Sequence, residues 1–137
     1  MRGLIGMRER YKYRLWRIIE SFGWTIIPIP ASGGGRKGEH RPDIIIGNGR
    51  RRIVAEVKNC MIPIYLSYES DVEPVLRFAK AFDATPLIIA KKKNGKKWKC
   101  FYVENLKKSS GKSLLIDNSV WEKGIPLENL LRMEFPL

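Results

Sequence analysis

The stretch from Asp43 to Lys58 constrains this chain more than any other. Asp43-Ile44-Ile45-Ile46 and Arg52-Ile53-Val54-Ala55-Glu56-Val57-Lys58 are β-branched runs joined through Asn48-Gly49, the strongest short-range signal for a β-hairpin. Three consecutive isoleucines predict a strand covered on both faces, so structural layers must lie above and below it. With Asn48 and Gly49 as the two loop residues, facing positions sum to 97, which sets Asp43 opposite Val54 and diagonal to Glu56.

The remaining elements follow from periodicity. Tyr11, Leu15, Ile18, Ile19 and Phe22 form a helical stripe over 8–22, ended by Gly23. Residues 24–29 read as a strand, and 31–38, rich in Gly, Arg and Lys, as a basic loop. Ser70-Asp71-Val72-Glu73 reads as a capping box opening a second helix, with Val72, Val75, Leu76, Ala79 and Phe82 pointing inward and Pro74 in the first turn. Two strands, over 86–90 and 98–103, surround a second Asn-Gly turn at Asn94-Gly95, and weaker signals suggest a strand over 114–116 and a helical turn over 127–133. The order α-β-β-β-α-β-β predicts an α/β domain with a mixed central β-sheet flanked by helices. At 137 residues a single domain is expected, with a core at about 8–103 and a C-terminal extension at about 104–137.

Charge narrows the partners. The 26 Lys and Arg against 14 Asp and Glu give a net charge of +12, which points to a polyanion, and nucleic acid suits it better than a membrane surface. No apolar run approaches the roughly 20 residues of a membrane span. Residues 1–8 lack the apolar core and cleavage site of a secretory leader, so a cytoplasmic location is expected. A lone histidine, His40, excludes His-based zinc sites, and Cys60 and Cys100 are too few for a disulfide framework.

The hairpin also carries the chemistry. Diagonal neighbours stand roughly 7–8 Å apart at the backbone, so the Asp43 and Glu56 carboxylates can converge on one hard cation, with the Val57 carbonyl as a further oxygen ligand. Lys58 shares their face. Mg²⁺ held there, with Mn²⁺ as a substitute, would polarise a phosphate and acidify a water, while the ammonium stabilises developing charge: a phosphodiesterase site in outline. The plainer alternative is that Asp43 caps a strand end and Glu56 with Lys58 is an ordinary charge pair.

Pro42-Asp43, the hairpin and Glu56-Val57-Lys58 together resemble the PD-(D/E)xK nuclease signature, and their surroundings resemble archaeal-type Holliday junction resolvases. The resemblance extends through Glu20-Ser21-Phe22-Gly23-Trp24, Pro30-Ala31-Ser32-Gly33, Gly47-Asn48-Gly49, Pro63-Ile64-Tyr65-Leu66-Ser67 and Phe78-Ala79-Lys80-Ala81-Phe82. It implies a restriction-endonuclease-like fold and a Mg²⁺-dependent homodimer that nicks four-way DNA junctions symmetrically. In that family Asp43 and Glu56 would be metal ligands, Lys58 the catalytic lysine, and Ser32 a residue near the scissile strand. A sliding clamp or a branch-migration helicase would be a partner. Phosphate contacts are expected from Arg10 and Lys12 on the first helix and from Arg36, Lys37 and Arg41 in and after the basic loop.

One departure from the family stands out. It carries a glutamate on the first helix where this chain has Lys12. Glu9, three residues earlier, lies about 300° round and 4.5 Å along, near the same helix edge, and could serve as catalytic residue and ligand in its place; otherwise it is a first-turn acid favoured by the helix dipole. Loss of the acid would leave a non-catalytic junction-binding protein, and a same-fold nuclease acting on another DNA substrate is a further alternative. Asn59, Cys60 and Met61 stand where the family tends to be basic.

Other motifs carry less. Gly111-Lys112-Ser113 has the ending of a nucleotide-binding loop, but position 106 is Leu rather than Gly. The lysine-rich stretch 91–99 reads either as a solvated hairpin tip or as a phosphate clamp with Trp98 packing or stacking. Arg50, Arg51 and Arg52 leave distal backbone contact and simple solubility both open.

Overall fold

The computed structural model describes residues 10–30, 39–111 and 113–133. Helix α1 (Arg10–Ser21) buries Leu15, Trp16 and Ile19, and ends where Gly23 takes a φ of +85°, a conformation open to glycine at little cost. The chain then forms β1 (Thr25–Pro28), β2 (Ile44–Gly47), β3 (Arg52–Cys60) and β4 (Ile64–Ser67). One π-helical turn (Tyr68–Val72) leads into α2 (Glu73–Phe82), followed by β5 (Thr85–Lys92) and β6 (Trp98–Tyr102). The remainder supplies β7 (Lys107–Lys108), β8 (Ser113–Ile116), α3 (Asn118–Glu122), β9 (Ile125–Pro126) and α4 (Leu127–Arg132).

A six-stranded mixed sheet ordered β1-β2-β3-β5-β6-β9 forms the middle layer. Its central pair, β3 with β5, is parallel and rich in apolar residues that are buried on both faces, as the run of isoleucines predicts. On one face α1 and α4 cover Ile44, Ile46, Ala55, Val57 and Ile89. On the other, α2 covers Val54, and a small sheet ordered β4-β8-β7 with α3 covers Ile88 and Ala90. Each fully buried Leu or Ile contributes roughly 1.5–3 kcal/mol to this arrangement. No helix among the described residues is long and apolar enough to cross a membrane.

Four local expectations are corrected. The β2–β3 pairing runs Ile44↔Ala55 to Gly47↔Arg52, so facing positions sum to 99 rather than 97. The loop is Asn48 to Arg51, because the Asn48 side chain accepts the Arg50 and Arg51 amides and only Gly49 has positive φ, whereas a two-residue type I′ turn needs it at both positions. The shift is even, so every side chain keeps its face, but Asp43 falls directly across from Glu56. The helix cap lies earlier too: Ser67 Oγ accepts the Ser70 amide, and Asp71 reaches back to the Ser67 amide. Phe82, expected inside, is 53% exposed at the helix end. Finally, β4 pairs with β8 in a second sheet, an element that four residues of alternating exposure disclose only once the partner strand is known.

The arginines after Asn48-Gly49 hold structure. Arg51 donates to the Leu130 and Leu131 carbonyls at the end of α4 and stacks over Trp24, whose indole N–H donates to the same Leu131 carbonyl. Arg52 donates to the Phe82 and Asp83 carbonyls and pairs with the Asp83 carboxylate.

Candidate active site

Where β2 begins, β3 continues past it, and this offset creates the site. Asp43 precedes the first paired residue of β2, its amide donating to the Ala55 carbonyl. Beyond Ala55 no strand among the described residues pairs with that edge of β3, and the Asp43 carboxylate takes up its next amide: Oδ2 accepts the Val57 N–H at 2.8 Å. In an extended strand the N–H and C=O of one residue point to the same side, so the Val57 carbonyl faces the Asp43 side as well.

Glu56 and Lys58 alternate with Val57 and project from the opposite face of β3. Lys58 Nζ donates to Asp71 Oδ1 at 3.0 Å and lies 3.9 Å from Glu56 Oε2, while Lys12 Nζ on α1 stands 3.9 Å from Asp43 Oδ1. The Glu56 side chain is 12% exposed. Burial first, and then the neighbouring Asp43 carboxylate, push its pKa up to about 9, against partial relief from Lys58 and Lys12. Burial works against the charge on Lys58, but Asp71 outweighs it through charge and hydrogen bond, with help from Glu56, so its pKa lies above the ordinary lysine value. The outcome is a proton held on Glu56 and a firmly cationic Lys58.

These donors fit a hard divalent cation. Among the described residues no group of three or more His, Cys, Asp or Glu side chains could hold a metal. Two carboxylates and a main-chain carbonyl nonetheless match Mg²⁺, which takes one or two carboxylates and leaves its other positions to water and phosphate. A buried carboxylate held protonated next to a second one is the group whose charge such a cation would restore.

The structure thus brings Asp43, Glu56, Val57, Lys58 and Lys12 together. Arg41 donates to the Glu39 carboxylate and the Pro30 carbonyl. Arg10 begins α1, and its side chain is outside the described residues, as are Glu9, Ser32, Arg36 and Lys37 altogether. Asp71 is the residue that the sequence reading misses: one oxygen caps the turn after β4 and the other holds Lys58. Its signal was a capping pattern starting at Ser67 rather than Ser70, but only the path of β4 brings it to Lys58.

Comparison with known proteins adds the family dimension. The family model described as archaeal Holliday junction resolvase (Hjc) matches residues 7–136. The chain is 37% identical over 111 residues to the crossover junction endodeoxyribonuclease Hjc of Archaeoglobus fulgidus, covering 80% of this chain and 79% of that protein. It is also similar to the solved structure of Archaeoglobus fulgidus Hjc, a Holliday junction resolvase from an archaeal hyperthermophile, with a TM-score of 0.77, 32% identity, and coverage of 89% of this chain and 96% of that one.

Proposed function

The chain belongs to the archaeal Holliday junction resolvase (Hjc) family, and from that premise we propose how its residues do the family's work. It is an endonuclease that cleaves four-way DNA junctions. The observation that carries the site assignment is the convergence of Asp43, Glu56 and the Val57 carbonyl at the open edge of β3, with Lys58 beside them.

Mg²⁺ is the proposed cation and Mn²⁺ its substitute, held by Asp43, Glu56 and the Val57 carbonyl, with Glu9 a further ligand. When bound, it supplies Lewis acidity toward the scissile phosphate and favours deprotonation of the attacking water. With the cation bound, Glu56 would be held as the carboxylate. Asp43 is kept in place by the Val57 amide on Oδ2, and Oδ1, which stands 3.9 Å from Lys12 Nζ, is the oxygen that would face the cation. Lys58, oriented by Asp71, stabilises the charge that builds on the phosphate oxygens as the water oxygen bonds to phosphorus and the strand P–O bond breaks. Lys12 contacts a phosphate next to the reacting one, joined by Arg10, Arg36, Lys37 and Arg41, and Ser32 lies near the scissile strand.

Two sites in a homodimer give the paired cuts that a symmetric junction requires, and the exposed apolar side chains Ile27, Met61, Tyr65 and Phe82 offer surface for that association. We place this single nuclease domain in the cytoplasm, where a sliding clamp or a branch-migration helicase would meet it on DNA. Asp43→Asn tests the assignment: junction cleavage falls at least about 10³-fold while junction binding persists. Full cleavage by that variant would remove Asp43 from the metal site.

A further inference from the structure

A second charged feature lies on the opposite face of the sheet. Between α1 and the β5–β6 hairpin runs a groove of about 560 Å³, lined by Tyr11, Arg14, Asn59, Lys93, Lys96 and Trp98 among others, with no carboxylate among the described residues of the lining. Asn59 alternates with Lys58 along β3 and therefore faces α1, away from the acidic centre.

The groove is built firmly. Trp98 is buried and packs on Tyr11 with ring centroids 6.1 Å apart, so it serves as a wall and not as a stacking platform. The Lys93 amide donates to the Cys60 carbonyl and ties the hairpin to the end of β3. Lys91 is buried with its ammonium turned inward onto the Lys92 and Gly95 carbonyls, holding the tip in shape. The tip is tight at Gly95, where a Cβ would stand 3.1 Å from the Lys92 carbonyl oxygen. Arg14, Lys93 and Lys96 are exposed, and no ion pair engages them among the described residues. Asn59 Oδ1, buried in the same wall, has no hydrogen-bond partner among the described residues. Burial, and then the neighbouring Arg14 charge, lower the Lys91 pKa.

We propose that this groove is a second phosphate site, separate from the acidic centre, in which Arg14, Lys93 and Lys96 hold the backbone of a nucleic-acid strand. Three converging cations without carboxylates bind phosphate by releasing its counterions. The first turn of α1 links the two places, because Tyr11 lines the groove while the next residue, Lys12, stands against Asp43. A strand cut at the centre passes this turn, and the groove holds it a few nucleotides away. The proposal rests on the nuclease reading for the identity of the strand; Lys91 acts as a positioning residue.

The test is fluorescence anisotropy of a labelled four-way junction, in chelator, over a range of salt concentrations. The triple variant Arg14→Ala, Lys93→Ala, Lys96→Ala is compared with a charge-matched control, Lys80→Ala, Lys108→Ala, Lys123→Ala, at exposed positions elsewhere. The groove variant binds at least about 10-fold more weakly, and its salt slope falls by about 0.9 for each phosphate that is no longer neutralised. The control keeps its slope and loses less than about 3-fold. Equal losses in the two triples overturn the proposal. Duplex and single-strand probes separate it from the parent reading: an unaltered protein with no preference for junctions contradicts the resolvase function, while the groove still stands or falls on the two triples.

Discussion

The two faces at one end of β3 carry opposite chemistry. On one, Glu56 and Lys58 meet Asp71 and Asp43 in a nearly closed cluster whose charges are paired or suppressed by protonation. On the other, Arg14, Lys93 and Lys96 rim an open groove with no compensating carboxylate among the described residues of its lining. The acidic side uses burial to concentrate a few groups on one atom's work, and the basic side uses exposure to collect phosphates at low cost in desolvation. Substitutions on the two sides should therefore fail in different ways.

Asp43→Asn is the largest break, losing cleavage and sparing binding, and the groove triple is its mirror image, losing binding while cleavage of saturated enzyme persists. Combining them should give the binding of the groove triple alone, since the two faces share no partner. Asp71→Asn comes next. It leaves Lys58 without its anionic anchor, so single-turnover cleavage falls about 10- to 100-fold with junction affinity unchanged. An Asp71→Asn enzyme of full activity would make Asp71 only a turn cap.

The remaining effect is on stability rather than on activity. Glu56 holds its proton in the folded protein to about pH 9, against an ordinary value of 4.5, so between those limits the folded state binds the extra proton and stability falls as pH rises. The slope is at most about 1.4 kcal/mol per pH unit. Denaturant unfolding in chelator from pH 5 to pH 9 should show it, and Glu56→Gln should flatten it. An unchanged slope would place the proton elsewhere.

Much of this was legible in the sequence, for physical reasons that can be named. The β-branched runs, the α1 stripe and Gly23 each depend on local chemistry, and they stand in the structure where periodicity sets them. Asp43 and Glu56 were brought together by a register wrong by two, and the error did no harm because an even slip conserves faces. The same Asn-Gly pair makes two different turns: Asn94 takes a φ of +67°, while Asn48 instead folds its side chain onto the following amides. The role of Asp71, the β4–β8 pairing and the placing of Arg14 against the 91–99 hairpin were not legible, because each depends on contacts between segments far apart in the chain.

The most direct measurement is cleavage of end-labelled four-way junctions with and without Mg²⁺, beside linear duplex and single strands. Paired nicks on the junction alone, lost when the metal is withheld, are the predicted result. Tight junction binding with no cleavage at any Mg²⁺ concentration would contradict the account and leave Lys12 beside Asp43 as the mark of a binding protein.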